Sequence, residues 1–298
     1  MWVVGIDEAG YGPNLGPLVQ AAVAIELPDG DPAGWVALKA TVRKARGKND
    51  GRIVIDDSKK VYTRGGIEAL ERGLVRTIGL NDSLGELLRR ILLPGCFDDV
   101  SAEHWFDGTE SLPVHVHEFE ATPFPACSAF ANVVPTTLFN QIVEGSGSKG
   151  TVLACGLTAL LAAMRTTGAG PLHVSCDKQG GRNFYAAMLQ ASFPDGWVVV
   201  ELESADESRY RIANLERPVL VTFKPRADGD SIAVALASML CKYLREVCMA
   251  QFNRFWAKHV PGLAPTAGYP LDAKRFYESI QPAMAKLGLT AEQVWRSR

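Results

Sequence analysis

The chain has 298 residues, 47% of them hydrophobic and 21% charged, with a formal net charge of −2. That is an ordinary globular composition, long enough for one large domain or two small ones. The near-neutral balance excludes a general basic coat for nucleic acid, so any phosphate binding has to come from a local patch.

Cysteines 96, 127, 155, 176, 241 and 248 form no C-x-x-C pair. They fit reduced thiols of a cytoplasmic protein better than a disulfide framework or a zinc site. Asp7 and Glu8 interrupt the apolar start, so no secretory signal is read there. The longest apolar segment, 151–164, is too short to cross a bilayer and reads as a buried helix. No internal repeat is visible, and no membrane association is expected.

The chain opens Trp2-Val-Val-Gly-Ile-Asp7-Glu8-Ala-Gly10-Tyr11-Gly12-Pro-Asn-Leu-Gly16-Pro17. A β-branched run predicts a strand, and the glycines behind the two acids predict a turn that a ligand can approach closely. A polar surface turn would explain one acid and one glycine, but not three glycines at spacings of two and four. Acids at a strand end beside bare backbone suit a divalent metal and a phosphodiester. Residues 19–27 alternate and predict a second strand, antiparallel to the first. Residues 35–48 carry five Lys or Arg and read as a basic surface helix or a solvated face.

Ile53-Val-Ile-Asp56-Asp57-Ser58-Lys59-Lys60 brings a short strand to two acids, a hydroxyl and two lysines. Ser58 and Lys59 could hold phosphate oxygens, and Asp56 or Asp57 could cap the next helix. Helices follow at 67–80 and 84–93. From 94 to 125 the periodicity breaks down, apart from a strand expected at 114–120. His115 and His117 would share a face there, as alternating polar residues rather than half a metal site. A short helix is expected at 134–143, and 145–150 is the most linker-like segment.

Leu172-His-Val-Ser-Cys-Asp177-Lys178-Gln179-Gly180-Gly181-Arg182 repeats the opening layout: a strand, an acid, then glycines. Strand-end carboxylates of this kind can converge on one metal pair in an α/β sheet. Strands are expected at 197–202 and 218–223. Lys224-Pro-Arg-Ala-Asp228-Gly-Asp230-Ser231 reads as a turn that caps the clearest helix of the chain, 232–256. On that helix Ser238, Lys242, Arg245 and Glu246 lie a turn or two apart, so some can face a cleft together, though Lys242 and Glu246 also make an ordinary surface ion pair. Gly268-Tyr269-Pro270 is a turn whose tyrosine can stack on a sugar or base, or plug a core edge. A last helix is expected at 272–287, broken near Pro282.

Taken in order, these motifs resemble the type 2 ribonuclease H family, the bacterial ribonuclease HII and archaeo-eukaryotic H2 catalytic subunits. Gly5-Ile-Asp7-Glu8-Ala-Gly-Tyr-Gly12 with Gly16-Pro17 looks like the first motif. Asp57-Ser-Lys-Lys-Val61 is similar to D-S-K-K-L, and Asp177 occupies the place of the third acid. Gly229-Asp230 and Ala237-Ser-Met-Leu-Cys-Lys242-Tyr-Leu-Arg245-Glu246 resemble the helix motif, Gly268-Tyr-Pro270 the G-Y-P turn, and Trp295-Arg-Ser the closing H-R-x-S.

The resemblance implies a single ribonuclease H-like α/β domain over 1–298: a central mixed sheet flanked by helices, an insertion near 85–125 and a helical extension near 257–298. It implies hydrolysis of the RNA strand of RNA/DNA hybrids. Asp7, Glu8, Asp177 and Glu246 would be the catalytic and metal-binding acids, holding two Mg²⁺ or Mn²⁺ ions roughly 4 Å apart. Gly10, Tyr11, Gly12, Ser58, Lys59, Lys242 and Tyr269 would bind substrate, the Gly10–Gly12 backbone bonding a ribose 2′-hydroxyl. This chain departs from the family in three places. Tyr11 stands where the family has an arginine that helps read a ribonucleotide-to-DNA junction; type 3 enzymes lack it and cut within longer RNA tracts. Glu246 stands where the family has Asp. The chain is also longer than typical members. A nuclease of this fold with another nucleic-acid substrate, and an inactive nucleic-acid binder, are the competing expectations.

Overall fold

The computed structural model describes residues 1–46, 50–116, 118 and 123–297. In chain order the strands and helices are β1 (Trp2–Ala9), β2 (Leu18–Glu26), β3 (Val42–Arg43), β4 (Ile53–Val54), α1 (Ser58–Val75), α2 (Leu84–Ile91), α3 (Cys96–Ser101), β5 (Cys127–Val134), α4 (Thr136–Ser146) and α5 (Lys149–Met164). Then come β6 (Leu172–Asp177), α6 (Ala186–Ser192), β7 (Trp197–Glu203), β8 (Ser208–Ala213), β9 (Val219–Lys224), α7 (Ile232–His259), α8 (Pro270–Leu287) and α9 (Ala291–Val294).

Seven strands form one mixed sheet in the order β5-β2-β1-β6-β9-β8-β7, and β3 pairs with β4. The three central strands β1, β6 and β9 are parallel, so their C-terminal ends open on one edge of the sheet. β2 returns antiparallel from the glycine-rich loop, with Gly5 opposite Val23. This is the expected α/β architecture: a mixed sheet with flanking helices and a C-terminal helical extension.

Alternation along β1, β6 and β9 sends side chains to two cores, as a period of two requires. Val4, Ile6, Val174, Cys176, Val221 and Phe223 meet α5 and α6 through Leu157, Leu160, Leu161 and Leu189. On the opposite face Val3, Ala21, Val23 and Ile25 meet α1 and α7 through Leu70, Leu74, Leu236 and Leu240. Lying between the sheet and α1, α7 buries nearly its whole circumference from Ile232 to Cys241. It comes so close that a Cβ at Gly5 would lie 2.0 Å from Ala233 C and Val234 N. At the far end of α7, Phe252 and Trp256 pack on Phe276 and Ile280 of α8. Each such burial removes enough apolar surface to contribute about 1.5–3 kcal/mol.

Several local expectations are corrected. Residues 35–46 are turns and a short strand rather than a helix, with the Asp31 carboxylate taking the N–H groups of Gly34, Val36 and Ala37; 47–49 lie outside the described residues. The helix expected at 67–80 begins at Ser58 and breaks at Gly65 and Gly66, where Gly66 has φ 64°. The described part of 114–120 is not a strand. Its N–H groups at Val114, His115 and Val116 donate to the buried Glu71 carboxylate, which also accepts from Tyr243 Oη. His117 lies outside the described residues. β5, β8 and α3 were not expected. The linker-like 145–150 segment is the corner between α4 and α5. Among the described residues no single helix is long and apolar enough to cross a membrane.

Candidate active site

β1 and β6 are neighbours in register, Ile6 opposite Cys176, so Asp7 and Asp177 reach the same sheet edge from adjacent strands. Strands in such a pair stand about 4.8 Å apart. Glu8 follows Asp7, and its N–H donates to Asp7 Oδ1 over 2.8 Å. α7 supplies the floor. Ser238 lies near enough to the Asp7 carboxyl to work against its upward shift, and Cys241 Sγ donates to the Asp7 carbonyl over 3.2 Å. β9 ends one strand further along, and the 3-10 turn Ala227–Gly229 follows it. Ala227 N–H donates to Asp177 Oδ1 over 3.2 Å. The next residue, Asp228, is close enough for Asp177 to act on its titration.

The electrostatics of these four acids run in one direction. Burial, then Glu8, pushes Asp7 well above the ordinary carboxylate range. Burial, then the Asp177 charge, raises Glu8 to about 7. Burial raises Asp177 against three N–H donors that pull it down. Burial, then Asp57 and Asp177, raises Asp228. Desolvated like charges resist ionisation together, and a bound cation relieves that penalty. The exposed Lys59 ammonium acts on both Glu8 and Asp177.

The donor chemistry fits hard divalent ions such as Mg²⁺ or Mn²⁺, which take carboxylate oxygens and keep several waters. As the side chains stand, no group of three His, Cys, Asp or Glu among the described residues encloses an ion site. The acids are therefore gathered along one edge rather than closed around a centre.

Glu246, expected as the fourth acid, is corrected. It lies eight residues beyond Ser238, about 12 Å along the axis at 1.5 Å per residue. There it accepts hydrogen bonds from Tyr62 Oη and Lys242 Nζ, and Lys242 in turn lies 4.5 Å from the Tyr62 ring centroid. Asp228 stands with the strand-end acids instead. Its signal was readable in the sequence: a third apolar strand followed within four residues by an acid.

Among the expected substrate contacts, Lys59 is at the acids. Ser58 is buried, with its hydroxyl 3.0 Å from Ser238 Oγ, so it braces the floor rather than facing solvent. Lys242 belongs to the Tyr62–Glu246 cluster. Gly10, Tyr11 and Gly12 form a loop held firmly from inside. Gly10 has φ 89°, and a Cβ there would meet Pro17 O at 2.6 Å and Arg245 Cδ at 2.9 Å. Arg296, 1% exposed, donates to the carbonyls of Gly10 and Pro13, while Arg245 donates to Leu15 O and Ala267 O. Burial brings Arg296 down to about 9. Asn14 N–H donates to Gly268 O, which ties the loop to the turn carrying the exposed Tyr269. Gly12 is exposed with open space around it, and Tyr11 packs part-buried beside Leu18 and Phe139.

The chain matches no family model and no curated protein. Solved structures similar to it include ribonuclease HII from Archaeoglobus fulgidus, solved in its complex with PCNA, at 14% identity over 100% of this chain and 95% of that one, TM-score 0.47. Ribonuclease H2 from Pyrococcus horikoshii OT3 is 16% identical over 99% of this chain and 92% of that one, TM-score 0.46. RNase H3 from Aquifex aeolicus is 14% identical over 99% and 70%, TM-score 0.44. Likeness at these values carries no argument about chemistry, which rests on the side chains described above. Over its full length, then, the chain is similar to solved ribonucleases of the HII, H2 and H3 types.

Proposed function

We propose that this chain is a metal-dependent endonuclease that hydrolyses the RNA strand of RNA/DNA hybrids. One observation carries the reading: Asp7, Glu8, Asp177 and Asp228 gather at one edge of the sheet from the ends of three parallel strands. Their oxygens would hold two divalent ions. Such an ion pair, when bound, activates a water and stabilises the leaving oxygen of an in-line displacement.

The other residues bind and orient. Lys59 offers an ammonium to the phosphate beside the acids. The Gly10–Gly12 backbone is braced by Arg245 and Arg296 and left open at Gly12, so it presents carbonyl and N–H groups to a ribose 2′-hydroxyl. Tyr269, 54% exposed, offers a face on which a sugar or base can stack. Tyr11 supplies no guanidinium at the loop, which favours cutting within an RNA tract over reading a single ribonucleotide junction.

The test is cleavage of a labelled RNA/DNA hybrid in Mg²⁺ or Mn²⁺ by wild type, Asp7→Asn and Asp177→Asn. The reading requires cleavage by wild type and its loss in both variants. Absent cleavage, or cleavage indifferent to the substitutions, rejects it. A substrate panel with single-stranded RNA, structured DNA and one embedded ribonucleotide separates hybrid cleavage from a nuclease with another substrate. Calorimetric titration with Mn²⁺ separates both from an inactive binder, which would take up no ion at millimolar concentration.

A further inference from the structure

The chain leaving Asp177 makes a short loop before α6, and its residues divide into pinned and free. Gly180 and Gly181, with φ 56° and 77°, turn it back, and Arg182 N–H donates to Gln179 O over 3.0 Å. That closes a turn, so the backbone of Arg182 lies within about 7 Å of Gln179, two residues past the acid. Asn183 and Tyr185 then anchor the loop on β8. Asn183 O accepts from Ser208 Oγ over 2.6 Å, and Tyr185 N–H donates to Tyr210 Oη over 2.9 Å. The Tyr185 ring is buried, stacked on Phe223 with centroids 3.6 Å apart. Lys178 is committed to the same scaffold, donating to Asn183 Oδ1 and Ser204 O.

Two side chains of the loop are left over. Phe184 stands between the anchored Asn183 and Tyr185, yet it is 72% exposed. Arg182 is partly exposed and forms no ion pair among the described residues; its guanidinium lies 6.0 Å from the Tyr185 ring centroid. A single exposed apolar side chain is ordinary. Phe184 differs because the backbone on both sides of it is fixed, and because a free cation and two bare glycines share its loop. A ring held this way loses little conformational entropy on contact. Aromatic and arginine side by side suit the sugars and phosphates of a nucleic acid. Only β9 separates β8 from β6, so the anchor on β8 stands about 10 Å from the strand that carries Asp177. In the sheet order it lies on the far side of Asp177 from the glycine loop between β1 and β2.

We propose that the loop 178–185 is a second contact surface for the RNA/DNA hybrid: Arg182 takes a backbone phosphate, and Phe184 packs on the C–H face of a sugar. A duplex keeps its bases stacked on one another and presents its sugars along the minor groove. This rests on the nuclease reading above.

The experiment is hybrid binding by fluorescence anisotropy in EDTA, over a salt series, for wild type, Phe184→Ala, Phe184→Tyr and Arg182→Met. Both side chains reach solvent, and thermal melts check that each variant is folded. The two residues carry different signatures. Phe184→Ala should weaken binding about tenfold at every salt concentration, with Phe184→Tyr restoring it and the slope of log Kd against log salt unchanged. Arg182→Met should make that slope shallower by about one, because one phosphate loses its cation. In cleavage, Phe184→Ala and Arg182→Met should raise the KM for hybrid and leave kcat where it was. Binding by Phe184→Ala within about twofold of wild type, or an unchanged slope in Arg182→Met, overturns the proposal; hybrid cleavage by the wild type then keeps the nuclease reading intact. A loss in Phe184→Ala seen with single-stranded RNA and not with hybrid also overturns it, since the ring would then be stacking on an unpaired base. Absence of hybrid binding by the wild type overturns both.

Discussion

The two halves of α7 do different work. From Ile232 to Cys241 the helix lies flat on β1 and β2, and its polar atoms serve Asp7 through Ser238 and Cys241. From Lys242 onward its polar side chains reach away from the acids. Arg245 braces the glycine loop, Glu246 pairs with Lys242 and Tyr62, and Gln251 and Arg254 clasp Glu110 of the segment between α3 and β5. One helix thus joins the floor of the candidate site to a scaffold. A charged residue on it takes its role from its height along the axis as much as from its face.

Substitutions at the two ends should therefore differ in kind. The largest expected effect is at the floor: Asp177→Asn should cut hybrid cleavage about a thousandfold, equivalent to losing several kcal/mol of transition-state stabilisation. Single-turnover rates on a labelled hybrid measure it. A loss below tenfold would remove Asp177 from the centre.

Next comes the direct contrast between halves. Asp228→Asn should lower the rate about a hundredfold, while Glu246→Gln should change it by less than about threefold, because Glu246 faces Tyr62 and Lys242 rather than the acids. The reverse order would return Glu246 to the site and break the distinction between floor and scaffold.

A third effect concerns stability where the segment after α3 meets the scaffold half. Glu103 packs in a small cavity with Pro17, Trp105, Cys248 and Gln251, and burial raises its carboxyl to about 8. A raised acid binds its proton more tightly when folded. Its favourable contribution is thus complete below about pH 4.5 and disappears as pH climbs through about 8. Glu103→Gln should therefore gain on wild type across that window, by up to a few kcal/mol at pH 8.5. Urea melts at pH 5 and 8.5 read the difference, and a gain of equal size at both values would rule out the titration. Smallest is Arg254→Met. Its guanidinium is half exposed, so losing the ion pair to Glu110 should cost about 1 kcal/mol or less and leave hybrid cleavage unchanged.

Much of the candidate site's acid row was legible because strands write their ends into sequence. An apolar run followed by Asp7-Glu8, and another by Asp177, give both the strand and the direction in which its acid projects. Parallel pairing then brings such ends together. By the same logic Val219–Lys224 followed by Asp228 was readable, yet its turn residues drew attention to capping instead. β8 also carried its signal, since Ser208, Tyr210 and Ile212 alternate inward. β5 was harder to read, because Cys127, Ser128, Ala129, Ala131 and Asn132 lack β-branched character and leave strand formers only at Phe130, Val133 and Val134, while its burial comes from neighbours distant in sequence. Glu246 was misplaced for a different reason. Helical periodicity tells which residues share a face, but not where along the helix a strand from another part of the chain will end. The stretch at Val114–Val116 is held by Glu71, a helix acid whose partners are backbone groups about 45 residues away, with nothing local to announce it.

The contact at Gly5 sets the clearance between strand and helix at the width of a hydrogen atom. Any larger substituent there acts as a shim, levering the start of α7 off the sheet and drawing Cys241 Sγ off the Asp7 carbonyl. Position 5 carries no polar group, yet the seating of Asp7 on α7 hangs on it.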